Sequence, residues 1–120
     1  MFSNSSFAKT PDPPYYVVIF TSQRRRSSDE AYDETAARMA TLATEMPGYL
    51  GIESVRNGDG LGITVSYWAS EADIARWKLH LDHQNAQERG KKEWYEHYEL
   101  RVAKVERAYT GPEGRWPLQP

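Results

Sequence analysis

The 120-residue chain contains no cysteine. That excludes disulfides, thiolate metal sites and cysteine nucleophiles. No apolar run approaches the ~20 residues a membrane span needs. The N-terminus also lacks the basic start and apolar core of a signal peptide, so a cytoplasmic protein without a membrane partner is expected. Lys and Arg number 15 against 17 Asp and Glu, for a formal charge of −2. There is no basic stripe to hold nucleic acid. G-x-G-x-x-G, a phosphate loop and the G-x-S-x-G elbow are all missing, because the glycines near position 60 sit in a turn signal. Dinucleotide binding and serine-nucleophile chemistry drop out with them. The length suits one domain with a modest core.

What the chain does have is concentrated between Tyr67 and Tyr98. That stretch holds Trp68, Trp77 and Trp94 together with all 3 histidines. Ser70 is a good N-cap, and Glu71 and Asp73 place negative charge at the positive end of a helix. Ile74, Trp77, Leu81 and Asn85 follow at steps of three and four and share one face. His80, Gln84 and Gln87 form a neighbouring polar stripe, with His83 turned further away. Gly90 suits the C-cap, and Lys91 and Lys92 suit the negative end. Trp94, Tyr95 and Tyr98 follow as a second aromatic group.

Read in order, residues 1–14 are Ser-, Pro- and Asn-rich without a period and are expected to be a flexible arm. Tyr15–Ser22 is β-branched and aromatic, a buried strand. Arg24, Arg25 and Arg26 form either an anion patch or a solvated loop. A helix capped by Ser28 or Asp29 is expected to run to about Glu45, with Tyr32, Thr35, Ala36, Met39, Leu42 and Ala43 on its core face. Pro47-Gly48 stops it. Tyr49–Asn57 and Leu61–Trp68 read as strands joined through Asn57-Gly58-Asp59-Gly60, whose residues accept the positive φ of a tight turn. Tyr98–Tyr109 is expected to be the last strand. Residues 111–120 form a tail in which Trp116 packs either on its own domain or against a partner subunit.

The resulting order is β-α-β-β-α-β, a ferredoxin-like α+β domain over 15–110 with an antiparallel sheet and both helices on one face. The other face of the sheet would be bare in a monomer, so a homodimer through that face is expected.

For the site, His80 and His83 stand three apart on one helix, and His97, Glu88 and Glu93 are the other nearby donors. A metal centre there would need converging rings and a further ligand, and no metal is expected. Trp77, Trp94, Tyr95 and Tyr98, joined by Tyr15 or Tyr32, can line a flat apolar pocket. His80 or His83 at its rim can move a proton at neutral pH. The plainer alternative is that these rings are the core of a small domain.

The run S-Y-W-x-S at 66–70, then Trp77, His80, His83, Ala86, Gly90, the W-Y pair at 94–95, Tyr98 and R-V-A-x-V-E-R at 101–107, resembles the antibiotic biosynthesis monooxygenase (ABM) family. The segments F-T-S-Q-R at 20–24 and M-P-G-Y-L-G-I-E-S at 46–54 are similar as well. The resemblance implies ferredoxin-like protomers paired as a dimeric α/β barrel. It also implies a monooxygenase that needs no flavin or metal and oxidises a small planar aromatic molecule with O2, the substrate supplying the electrons. A branch of the family binds and degrades heme. That branch uses an asparagine near the end of the first strand, a tryptophan on the second helix and a histidine about three turns later. Here Trp77 matches the tryptophan, but Gln87 falls near the histidine position and Thr21, Ser22 and Gln23 stand where the asparagine would be. Heme held by His80 or His83 in a different pose is thus an alternative, and a non-catalytic binding module is another.

Overall fold

The computed structural model describes residues 6–25, 30–88 and 95–112; the side chains of residues 30–33, 35 and 82–88 lie outside that description. Among the described residues the order is β1 (Tyr15–Arg24), α1 (Glu30–Thr44), β2 (Tyr49–Arg56), β3 (Leu61–Trp68), α2 (Glu71–Glu88) and β4 (Tyr95–Val105). The strands form one antiparallel sheet in the order β2-β3-β1-β4. This is the expected ferredoxin-like arrangement.

Local chemistry explains the boundaries. α1 ends in tightened turns, with Glu45 N–H donating to Leu42 O and Met46 N–H to Ala43 O. Gly48 then takes φ 81°, and a Cβ there would sit 2.0 Å from the Asp73 carboxylate, so only glycine fits. Between β2 and β3 the side-chain oxygen of Asn57 accepts from the N–H groups of Asp59 and Leu61 at 2.9 and 3.1 Å. Gly60 supplies the positive φ of 94°. At the head of α2, Ser70 Oγ accepts the Asp73 N–H at 3.1 Å and donates to its carboxylate at 2.8 Å, closing the expected cap. β4 starts three residues earlier and stops earlier than its sequence suggests. Its ladder partner sets those limits: Tyr15, where β1 begins, pairs with Val105, and Arg24, where β1 ends, pairs with Tyr95 across a bulge.

Strand register divides the side chains between two faces. Tyr16, Val18, Phe20 and Ser22 of β1 share a face with Trp68, Ser66 and Thr64 of β3 and with Tyr98, Leu100 and Val102 of β4. Both helices pack on this face. Its core joins Ala43 of α1 to Trp68, Ile74 and Trp77, with Tyr16, Val18, Leu42, Met46, Tyr49 and Leu81 around them. The opposite face carries Val17, Ile19, Ile63, Val65 and Tyr67. It is not bare throughout. Ala8 N–H donates to Glu53 at 2.9 Å and Thr10 Oγ to the Tyr15 hydroxyl at 3.1 Å, so part of the N-terminal arm lies against this side of the sheet. Val55, Leu61 and Ile63, further along, are exposed.

Candidate functional site

Trp68 is the fixed point of the helix-covered face. It is wholly buried, and its indole N–H donates to Ser66 Oγ at 2.9 Å. The two side chains meet because residues two apart on a strand point the same way. Tyr49 meets Trp68 edge-on at 5.7 Å. Burial raises the Tyr49 phenol above its ordinary pKa.

On the other side of Trp68, Trp77 of α2 stacks at 6.0 Å and 27°. His80, three residues on, lies nearly parallel to Trp77 at 5.4 Å and 19°. The helical i, i+3 step produces that contact directly. His80 Nε2 is shielded from solvent and has no hydrogen-bond partner among the described residues. A polar nitrogen withdrawn from water without a partner is costly, so a water, an ion or a bound molecule is expected to complete its bonding.

The second aromatic group lies elsewhere on the same face. Phe20 meets Tyr95 at 5.5 Å and Tyr98 at 5.4 Å, and the two tyrosines meet at 5.9 Å. Trp68 pairs with Tyr16 and Leu100 with Phe20. A four-residue step along β1, from Tyr16 to Phe20, therefore separates the two groups, roughly 13 Å along the strand. Val18 and its partner Ser66 lie on the same face between them, and Thr64 stands beside Phe20.

Trp77 and His80 are thus brought together, as are Tyr95 and Tyr98, but the two pairs stand at opposite ends of one floor. Tyr15 is on the other face, edge-on to Tyr67 at 6.0 Å. Trp94 and Trp116 fall outside the described residues, and His83 and Tyr32 belong to α2 and α1 with their side chains outside the description. Phe20, Ser66 and Trp68 are the members that sequence reasoning missed. The signal for Phe20 was its parity with Tyr16 and Val18, masked by a run that is apolar on both faces.

Two concavities lie away from the Trp77–His80 stack. One of about 530 Å³ is lined by Arg24, Arg25, Arg56 and the Asn57–Gly60 turn. Here Arg56 is a clamp, donating to Gly60 O at 2.5 Å and to Ser22 Oγ at 3.0 Å. The other, about 180 Å³, lies beside Thr21, Gln23, Leu61, His97 and Glu99.

Two electrostatic features frame the sheet's opposite face. Burial, and then the hydrogen bond to Glu53 at 2.5 Å, push the Tyr67 phenol well above its ordinary range. His97 first, and then Arg101, hold the Glu99 carboxyl below its ordinary value. Among the described residues no group of three or more His, Asp or Glu side chains can hold a metal ion, and no helix is long and apolar enough to cross a membrane. The heme branch's donor set does not fit. At the end of β1, Ser22 Oγ accepts from Arg56 and the Gln23 amide donates to Asp59 O at 2.7 Å. Neither replaces an asparagine facing a ligand.

Comparison with known proteins gives the following. A family model described as antibiotic biosynthesis monooxygenase matches residues 15–89. The uncharacterized protein YqjZ of Bacillus subtilis (strain 168) is 56% identical over 100 residues, covering 83% of this chain and 87% of the relative. A jasmonate monooxygenase ABM of Pyricularia oryzae is 29% identical over 94 residues, which span 75% of this chain but 43% of that protein. Among solved structures, SnoaB, a cofactor-independent oxygenase from Streptomyces nogalater, superposes with a TM-score of 0.60 at 14% identity. That match covers 84% of this chain and 100% of SnoaB, and at such identity it speaks for the fold.

Proposed function

The chain belongs to the antibiotic biosynthesis monooxygenase family, and from that premise we propose that it is a monooxygenase that oxidises a small planar aromatic molecule with O2, using neither flavin nor metal. The observation that carries this reading is the Trp68–Trp77–His80 stack, which ends in a shielded imidazole nitrogen without a partner among the described residues. A flat phenol entering beside Trp77 gains ring contact, and its hydroxyl completes the bonding of Nε2. His80, with His83 as the alternative on the same helix, takes the phenolic proton, and the electrons that reduce O2 come from the substrate. Trp77 walls the phenol beside Nε2 and keeps water from the anion, while Tyr95 and Tyr98, with Trp94 assigned beside them, line the far end of the same floor. The domain spans 15–110 between an arm of residues 1–14 and a tail of residues 111–120. It works as a homodimer through the sheet, where Val55, Leu61 and Ile63 are exposed at 74, 46 and 42%.

The test is oxygen uptake with a panel of planar phenols and hydroquinones, alongside binding followed by tryptophan fluorescence. His80→Ala is expected to keep the fold and bind ligand while turnover falls by about a hundredfold or more. Unchanged turnover in both His80→Ala and His83→Ala would sink the acid/base assignment. Saturable binding with no oxygen uptake by the wild type would make the protein a binding module instead.

A further inference from the structure

Sequence alone leaves the arginines at the end of β1 open between an anion patch and a solvated loop. The fold adds a third guanidinium from another strand. Arg24 closes β1, Arg25 follows it, and Arg56 closes β2. Together with the Asn57–Gly60 turn they line the concavity of about 530 Å³, a size within the roughly 300–1,000 Å³ of small-molecule sites. Arg56 faces Gly62 across β2 and β3, and Gly62 faces Ser22 of β1. Facing residues share a face. Arg56 therefore stands on the helix side of the sheet, away from the face assigned to the homodimer.

The Arg56 guanidinium is set in place by the sheet. It donates to Gly60 O at 2.5 Å, to Ser22 Oγ at 3.0 Å and to Ser22 O at 3.5 Å. Ser22 is only 2% exposed, so its oxygens are rigid anchors. A Cβ at Gly62 would lie 2.5 Å from Arg56 Cζ, so the bare glycine makes room for the guanidinium. The turn beside it is tied to β1 as well: Arg24 N–H donates to Gly60 O at 2.9 Å and the Gln23 amide to Asp59 O at 2.7 Å. The acceptors that hold Arg56 here are uncharged, so these bonds orient its charge without neutralising it. A planar fork already oriented loses little further freedom when it meets an oxoanion.

We propose that this concavity is a phosphate-binding site, for the free ion or for the phosphate of a small ester. Arg24, Arg25 and Arg56 bring three positive charges to the lining and Asp59 brings one negative, a surplus of two. A phosphate monoester carries about −1.5 to −2 at pH 7 and three acceptor oxygens, so it matches both the surplus and the number of guanidinium forks. A carboxylate, with one charge and two oxygens, leaves part of each unmet. The volume also leaves room for an organic body beyond the phosphate. Ser22, which anchors Arg56, stands six residues along β1 from Tyr16, the partner of Trp68, roughly 20 Å away. The site is therefore separate from the Trp77–His80 stack and does not rest on the monooxygenase reading.

The experiment is isothermal titration calorimetry at fixed low ionic strength with inorganic phosphate, glucose 6-phosphate and acetate. The proteins are the wild type, Arg25→Gln, Arg56→Gln, Asp59→Asn and His80→Ala, with circular dichroism to verify each fold. Both phosphates are expected to bind saturably at one per chain, and acetate about tenfold or more weakly. Tighter binding of glucose 6-phosphate than of inorganic phosphate would identify an ester as the ligand; otherwise the free ion is the ligand. Arg56→Gln and Arg25→Gln, the latter at an exposed side chain, are each expected to weaken phosphate binding by about tenfold. Asp59→Asn removes a like charge and is expected to tighten it about two- to fivefold. His80→Ala is expected to leave it unchanged. No saturable binding of either phosphate would overturn the site, as would acetate binding as tightly as phosphate. Phosphate binding that neither arginine change weakens, or that His80→Ala abolishes, would overturn its location.

Discussion

The two halves of this sheet are finished to different degrees. Over β2 and β3 the helices close a core in which Trp68 has no exposed surface and its indole N–H is satisfied by Ser66. Over β4, on the same face, Tyr98, Leu100 and Val102 remain in solvent. One half is stable by itself. The other keeps apolar surface that no described residue buries. On the reading proposed above, the first carries most of the buried core and the second is the surface assigned to recognition.

This contrast is broken most severely at its fixed point. Trp68→Ala is expected to cost about 3–5 kcal/mol, a large fraction of an ordinary domain's stability, as measured by urea denaturation. The cap of α2 is the next largest lever. Ser70→Ala removes the acceptor for the Asp73 N–H and is expected to cost about 1 kcal/mol. It also changes the acid limb. Ser70 first, and then Arg76, hold the Asp73 carboxyl below its ordinary value of 3.8. A depressed carboxylate contributes stability above its unfolded pKa and loses it as pH falls through the folded one. The wild type is therefore expected to lose stability on acidification through and below that value, and Ser70→Ala to show a shallower loss. The smallest effect is expected on the open half. Val102→Ala should change protomer stability by less than about 0.5 kcal/mol, and a cost comparable to that at Trp68 would erase the distinction between the halves.

How much of this was legible follows from where the information sits. Asn57 and Gly60 announce the β2–β3 turn because few other residues accept that backbone, and β3 from Leu61 to Trp68 has the limits its composition suggests. Ser70, Trp77 and His80 are local to one helix, so their spacing gives both the cap and the stack. What depends on another strand was not readable. The limits of β4 come from β1, so its own mixed composition places them poorly. In YYVVIF nothing separates Tyr15, an expected wall of the pocket, from Phe20, which was missed, and only the register sends them to opposite faces. The arm has no period, yet Ala8 is held by Glu53, a residue 45 positions away. The aromatic residues on either side of residue 90 read as one pocket in sequence. In space the sheet floor separates Trp77 from Tyr98.

The most direct test is hydrogen–deuterium exchange compared between dilute and concentrated protein. The account predicts that amides in residues 96–104 gain protection as concentration rises, while those of the first turns of α2 do not change. Protection in β4 that is independent of concentration would mean that this half is already complete in the protomer, and would contradict the account.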